Sequence, residues 1–407
     1  MKKILLLLIG CLSVFAARTQ PKQTPYVILI SFDGFRYDYV SKYNPPAFQE
    51  FIRKGVAAEG LIPSFPSKTF PNHYTLVTGL YPGHHGLVDN GFYDPARHQL
   101  YTMSNKKQVG DPAYYGGTPL WQLAQQQGLK TASYFWVGSE APIQGKYPDY
   151  YFNYDMKVPN EKRVDQTITW LKLPEAERPH FISLYFSLVD QEGHNSGPNS
   201  TALRETVLRA DSVLGRLMTG LKTVDFPVNV IITSDHGMME LRNEEKTFIY
   251  LSNLFNVSDT TVIFANGGTQ THIYTPKADS LYEVLKKQEN HFKVYKRKEM
   301  PARWHYDHER VGDLLMVIEP GYVFNDRPPQ PGKQPGNPFF GVHGFDPSVE
   351  KSMQGIFYAN GPNIKSGVTL PVFENIHVYP FITTILGLKT PPVDGKPEVL
   401  KKAYKKK

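Results

Sequence analysis

Three near-continuous apolar, β-branched runs set the narrowest limit on what this chain can fold into. They are YVILISFDG (Tyr26 to Gly34), HFISLYFSLVD (His180 to Asp190) and VNVIITSDHG (Val228 to Gly237). A strand with one wet face alternates apolar and polar residues. Runs that are apolar at almost every position belong inside a largely parallel sheet covered on both faces. Between the second and third runs, Ser200 to Lys222 places Leu203, Val207, Leu214 and Leu217 at helical spacing. Strand, helix and strand in that order predict a right-handed crossover and an α/β fold. In such sheets functional groups gather beyond the carboxyl ends of the strands. Asp33, Asp190 and Asp235 are all expected there.

The rest of the chain bounds the organisation. Its 407 residues suit one large domain with insertions, or two domains. MKKILLLLIGCLSVFAARTQ has two lysines, an apolar run from Ile4 to Ala17 and small residues at its end, the pattern of a secretory leader over residues 1–17. That run is short for a membrane span, and no other stretch is long and apolar enough for one. LIGC (Leu8 to Cys11) resembles a lipoprotein box, so lipidation of Cys11 is the minority alternative to a free periplasmic or secreted protein. Cys11 is the only cysteine, so either cleavage leaves a mature chain without a disulfide. The formal charge of +7 resides in Lys2, Lys3 and the five lysines of the terminal KKAYKKK, so the body is neutral and a broad nucleic-acid-binding face is not expected. One domain over 24–392 and a basic C-terminal tail over 393–407, its terminal KKAYKKK solvated and disordered, complete the expected layout. Residues 92–160, rich in Tyr, Gly and Pro, predict loops and short elements over one end of the sheet. Asn325 to Gly341 predicts a surface loop, and Glu374 to Leu388 a final helix.

The candidate chemistry lies in scattered pieces. DQEGH puts Asp190 and His194 four apart, DHG puts Asp235 beside His236, VHGFDP supplies His343 and SFDG supplies Asp33. Three imidazoles with three carboxylates favour zinc over magnesium or calcium, which prefer oxygen alone. Two metals about 4 Å apart could share them and clamp both oxygens of a phosphoryl displacement. Each piece has an ordinary reading too. A strand-end Asp can cap a helix, DHG can be a turn, and His343 can be a loop residue.

SFPSKTFPNHYTLVTG (Ser64 to Gly79) offers the partner for such metals. With Pro71 at the first helical position, Phe70 is the cap and Thr69 lies just outside the helix. A threonine hydroxyl is a poor nucleophile unless a metal lowers its pKa. The helix end would favour an alkoxide and a bound phosphate. Lys68 is expected to face solvent, the commoner place for a lysine.

Taken together, ISFDGFR, SKTFPNHYTLVTGLYPGHHGLVDNGFYDP, LYFSLVDQEGHNSGP, TSDHGM and VHGFDP closely resemble the nucleotide pyrophosphatase/phosphodiesterase family of the alkaline phosphatase superfamily, from about Val27 to about Leu386. The resemblance implies a three-layer α/β/α sandwich with loop insertions over the active site. It implies Thr69 as the nucleophile of a covalent nucleotidyl intermediate, and two Zn2+ ions. One would be held by Asp33, Thr69, Asp235 and His236, the other by Asp190, His194 and His343. Asn90 would hydrogen-bond a phosphate oxygen, and an amide donor does this without adding a titratable group. Phe70 and Tyr154 would lie against the base of a nucleotide substrate, with Trp136 in the same pocket. Gly91 departs from animal members that carry lysine there, which leaves base preference and preferred chain length open.

Three other readings compete. A phosphate monoesterase on the same site would want Lys or Arg beside Asn90, where this chain has Asp89, Gly91 and Phe92. A choline-phospholipid phosphodiesterase would need an aromatic cage for a quaternary ammonium. A non-catalytic zinc-binding surface protein would have lost some ligands, whereas every ligand position and Thr69 is present.

Overall fold

The computed structural model describes residues 24–329 and 336–406. The expected leader and Cys11 therefore lie outside the described residues. Eight strands form the central sheet: β1 (Tyr26–Phe32), β2 (Val56–Ala58), β3 (Thr131–Tyr134), β4 (Tyr150–Tyr151), β5 (Phe181–Phe186), β6 (Val228–Thr233), β7 (Phe357–Asn360) and β8 (Val368–Leu370). Their order is β8-β2-β7-β6-β1-β5-β3-β4. Only β7 runs antiparallel to its neighbours. β1 lies between β5 and β6, parallel to both.

The apolar runs occupy the centre for the physical reason they suggest. Every residue of β1 is buried, and the pleat sends Val27 and Leu29 into one core and Ile28, Ile30 and Phe32 into another. Burying each of these side chains stabilises the fold by about 1.5–3 kcal/mol. The first core is covered by helices α1 (Thr69–Thr78) and α4 (Val378–Leu386), through residues such as Leu76, Val77, Ile382 and Ile385. The second is covered by the helices Pro46–Arg53, Asn160–Leu171 and α3 (Thr201–Leu221). The result is a three-layer α/β/α sandwich. Helix α3 starts where the sequence marks it, with Ser200 Oγ accepting the Leu203 N–H at 3.1 Å.

Several expectations need correction. The first and third apolar runs are strand until just before their aspartates, ending at Phe32 and Thr233, but the second turns into a helix before its aspartate. Ser187 follows β5 directly and helix α2 (Leu188–Ser196) begins, so Asp190 is in the first turn of a helix rather than at a strand end. Residues 92–160 are not only covering loops, because they supply β3 and β4 to one edge of the central sheet. The 325–341 segment ends in a strand, Phe339–Val342, paired antiparallel with Met239–Arg242. The basic tail is not a solvated end: Leu400 and Ala403 are buried, and the backbone bonds Lys365 N–H to Ala403 O and Lys405 N–H to Asn363 O seat it.

Between β6 and β7 the chain adds a separate antiparallel sheet with its own core. Its strands are Ile263–Asn266, Gln270–Tyr274, Leu314–Ile318 and Phe292–Lys296, in that spatial order. Among the described residues no helix is long and apolar enough to cross a membrane.

Candidate active site

Beyond the carboxyl ends of β1, β5 and β6 the scattered residues converge. Asp33 is the residue after β1, Asp235 is two past β6, and His236 follows it. On α2, Asp190 and His194 are one turn apart and share a face, with His194 Nε2 3.4 Å from Asp190 Oδ1. Gly34 makes the approach of β1 to α2 possible. It has φ +66°, and a Cβ there would meet the Asp190 Cα and Cβ at 2.9 Å. Its N–H donates to Asp235 Oδ1 at 3.2 Å.

Two clusters of candidate ligand atoms result: Asp33, Asp235 and His236, and Asp190, His236 and His343. His236 belongs to both. Its Nε2 is 3.0 Å from Asp235 Oδ2 and 3.5 Å from Asp33 Oδ1. The His236 ring stacks on His343 with centroids 3.5 Å apart. His343 Nε2 is 3.9 Å from Asp190 Oδ1.

These residues fit a bound cation by the chemistry of their donors. The Nδ1 atoms of His194, His236 and His343 face the carbonyl oxygens of Gly341, Gly237 and Ser67, at 2.8, 2.8 and 2.7 Å. A carbonyl can only accept, so each Nδ1 carries a hydrogen and Nε2 is the nitrogen turned toward the carboxylates, where it can present a lone pair. On the opposite side, Asp33 Oδ1, Asp190 Oδ1 and Asp235 Oδ2 are buried without a hydrogen-bond partner. Lone pairs facing lone pairs in a dry site need positive charge between them. The electrostatics agree. Burial, then the charges of Asp235 and Asp190, push Asp33 well above the usual carboxylate range. Burial and Asp190 do the same to Asp235. Burial, with His236 and His194 nearby, holds His343 well below the ordinary imidazole value.

Thr69 sits at the meeting point. It is the first residue of α1 rather than a residue outside the helix, with Lys68 in the cap position and Pro71 third. Its Oγ1 is 3.2 Å from His236 Nε2. Asn90 caps the helix from 20 residues away, its Oδ1 accepting the Phe70 N–H at 2.9 Å. The Asn90 amide donor side and the Thr69 N–H make no hydrogen bond among the described residues, so both remain available to an anion at the helix end.

The aromatic residues are placed unevenly. Phe70 is half-buried beside Thr69. Tyr154 is half-buried too, its hydroxyl donating to Ser187 Oγ at 3.3 Å and its ring edge-on to Tyr185. Trp136 is 3 % exposed, and its Nε1 donates to His73 O at 2.9 Å, which sets it under α1 within the core. Lys68 does not face solvent. It is buried, its Nζ donates to Gly267 O at 2.6 Å, and burial lowers its pKa.

The structure adds supporting residues that sequence reasoning missed. Tyr185 OH donates to Asp33 Oδ2 at 2.6 Å. His73 is buried between Thr69 O and Ser31 Oγ, at 2.9 and 2.8 Å, with Nδ1 3.3 Å from Asp235 Oδ2. Only His73 had a local signal, its position one turn after Thr69 on α1.

Residues 27–346 match the family model of the type I phosphodiesterases/nucleotide pyrophosphatases. The chain belongs to that family. It is 35 % identical over 387 residues to human ectonucleotide pyrophosphatase/phosphodiesterase family member 1, covering 92 % of this chain and 41 % of the relative. It is 37 % identical over 391 residues to venom phosphodiesterase 2 of Crotalus adamanteus, covering 92 % of this chain and 46 % of the relative. The chain thus spans less than half the length of these relatives. Among solved structures, murine ectonucleotide pyrophosphatase/phosphodiesterase 5 superimposes with a TM-score of 0.85 at 29 % identity, over 94 % of this chain and all of the other. An inactive threonine-to-alanine form of that murine protein, in complex with AMP, superimposes with a TM-score of 0.86 at 28 % identity, with the same coverage.

Proposed function

We propose that this protein is an exported two-zinc phosphodiesterase that hydrolyses nucleotide pyrophosphates and 5′-nucleotide phosphodiesters to nucleoside 5′-monophosphates. The observation that carries the reading is the position of Thr69 Oγ1, 3.2 Å from His236 Nε2, where two clusters of unpartnered carboxylate oxygens and imidazole lone pairs meet. Asp33, Asp235 and His236 with Thr69 would hold one ion, and Asp190, His194 and His343 the other. When bound, the ions supply the positive charge that lowers the hydroxyl pKa and offsets the phosphate.

The chain's own groups do the rest. Thr69 Oγ1 gives up its proton to solvent and forms a bond to phosphorus as the bond to the leaving group breaks, the leaving oxygen taking a proton from water, giving a threonine nucleotidyl ester. Water then attacks phosphorus, the Thr69 oxygen leaves, and a proton returns to it. The Asn90 amide and the Thr69 N–H are donors for a non-bridging oxygen at the end of α1. Phe70 and Tyr154 offer faces to a base, which suits a site that accepts several bases. The relative solved with AMP in a threonine-to-alanine form supports both the nucleotide and the threonine. Relatives named as venom phosphodiesterases, and the apolar leader, support export.

Thr69→Ala should abolish turnover of a nitrophenyl nucleotide diester while the purified protein keeps its metal content. Turnover at the wild-type rate would exclude this mechanism. The same preparation separates the rival activities. Nitrophenyl phosphate turned over with the higher kcat/KM would identify a monoesterase, and comparable turnover of nitrophenyl phosphocholine would point to lipid substrates.

A further inference from the structure

The four-stranded antiparallel sheet reaches the candidate site through His272, on its strand Gln270–Tyr274. His272 and Asp89 are both fully buried. His272 Nε2 is 3.1 Å from Asp89 Oδ2, and its Nδ1 is 3.0 Å from Val311 O. Because the carbonyl can only accept, Nδ1 carries a hydrogen, and the contact with Oδ2 requires one more proton between ring and carboxyl. Written as imidazolium and carboxylate, or as imidazole and carboxylic acid, the pair has no net charge. Such a pair can sit beside a phosphate site without repelling an anion.

The second oxygen of Asp89 continues the chain of contacts. Asp89 Oδ1 accepts the Asn90 backbone N–H at 2.6 Å, and Asn90 Oδ1 accepts the N–H of Phe70, next to Thr69. Lys68, on the other side of Thr69, donates to Gly267 O. A Cβ on Gly267 would lie 3.3 and 3.4 Å from the two Asp89 carboxylate oxygens, so this strand turn packs directly on Asp89. Segments 68–70, 89–90 and 267–272 therefore close a hydrogen-bonded ring around the start of α1, buried at Lys68, Asp89 and His272 and half-buried at Phe70 and Asn90. The buried, hydrogen-bonded Asp89–His272 pair at its centre rigidifies what it holds.

We infer that the Asp89–His272 pair is a positioning device for the nucleophile: it fixes Asn90 and, through Asn90, the first turn of α1, so that Thr69 and the phosphate-facing amide keep one geometry. Neither residue touches substrate. The inference rests on the reading of Thr69 as nucleophile. A misplacement of about 1 Å in such a site costs about 100-fold in rate.

The test compares Asp89→Ala, His272→Ala and Asp89→Asn in the full-length, metal-loaded protein, on a nitrophenyl nucleotide diester. Each alanine variant is expected to lower kcat about 10- to 100-fold, with KM within about threefold and metal content as in wild type. Asp89→Asn should recover most of the loss, because its Oδ1 still accepts from Asn90 and its amide can donate to a neutral His272 Nε2. If thermal unfolding shows that Asp89→Ala does not fold, His272→Ala and Asp89→Asn make the same comparison. Wild-type kcat in a folded alanine variant overturns the inference, as does an asparagine variant no better than alanine. Thr69→Ala run alongside separates the two readings. An inactive Thr69→Ala with a fully active His272→Ala removes only the positioning role, whereas an active Thr69→Ala removes the nucleophile as well.

Discussion

The Tyr185 hydroxyl fixes one oxygen of Asp33 and leaves the other, Oδ1, without a partner and facing His236. Losing an outer contact of this kind typically costs about 10- to 100-fold in metal affinity or activity. Tyr185→Phe keeps the ring packing and removes only that donor, so its metal Kd should rise by a factor in that range. An unchanged Kd, measured by titration of the metal-free protein, would show that the hydrogen bond is idle. At this scale the sequence was most informative where chemistry restricts residue type. Asp33, Asp190, Asp235, His194, His236 and His343 stand out because few other side chains can offer such a donor set. Tyr185 and His272 were not legible, whereas His73 stood one turn after Thr69 on α1. The partners of Tyr185 and His272 lie 152 and 183 residues away, and no local spacing encodes those contacts. Lys68 was misread for a related reason, since the Gly267 carbonyl that receives it is 199 positions distant.

Elements hold the ligands through close backbone approach. The strand Phe339–Val342 leads into His343, and its Gly341 carbonyl accepts from His194 Nδ1 on α2. A Cβ on Gly341 would run into the Gly193 carbonyl and the Met238 side chain. Gly341→Ala must therefore push the strand off α2, moving His343 and the partner of His194 together. The expected result is a lower melting temperature with weakened metal binding, read from chelator competition. A variant with both properties intact would mean that the strand can yield without moving the ligands. The sequence hid this arrangement. A short apolar run cannot distinguish a strand from a strand that passes straight into a helix, so α2 was read as the end of β5. The Pro- and Gly-rich composition of 325–341 concealed the strand at its end. The runs at β1 and β6 were legible because they are covered on both faces and remain apolar throughout.

Across the whole molecule, stability depends on groups remote from the site. Leu400 is fully buried near the end of the chain, and Leu400→Ala should cost about 2–5 kcal/mol in urea unfolding. A loss under about 0.5 kcal/mol, the usual range of surface substitutions, would restore the view of a free tail. Acid sensitivity follows from buried histidines. Burial pushes His85 down to about 3 and His377 down to about 4. Their unfolded values are about 6.5, so below that pH the unfolded chain binds more protons than the folded one. The stability these neutral rings contribute is complete above pH ~6.5 and is lost as pH falls toward the folded values. For His85 the slope approaches about 1.4 kcal/mol per pH unit. His85→Gln should show a shallower fall between pH 7 and 5 than wild type, with both proteins freed of metal. Equal slopes would contradict the assignment.

The two ligand clusters also differ in their access to water. The side chains of Asp33, Asp235 and His236 are 2 %, 0 % and 0 % exposed, whereas in the second cluster Asp190 is 15 % and His343 6 % exposed, with the neighbouring His194 at 42 %. In terms of residence time, one position is a vault and the other a doorway. On the two-ion reading proposed above, ions should leave a chelator-treated sample in two phases, the faster from the Asp190 side. His194→Ala should remove the fast phase and leave the slow one at its original rate.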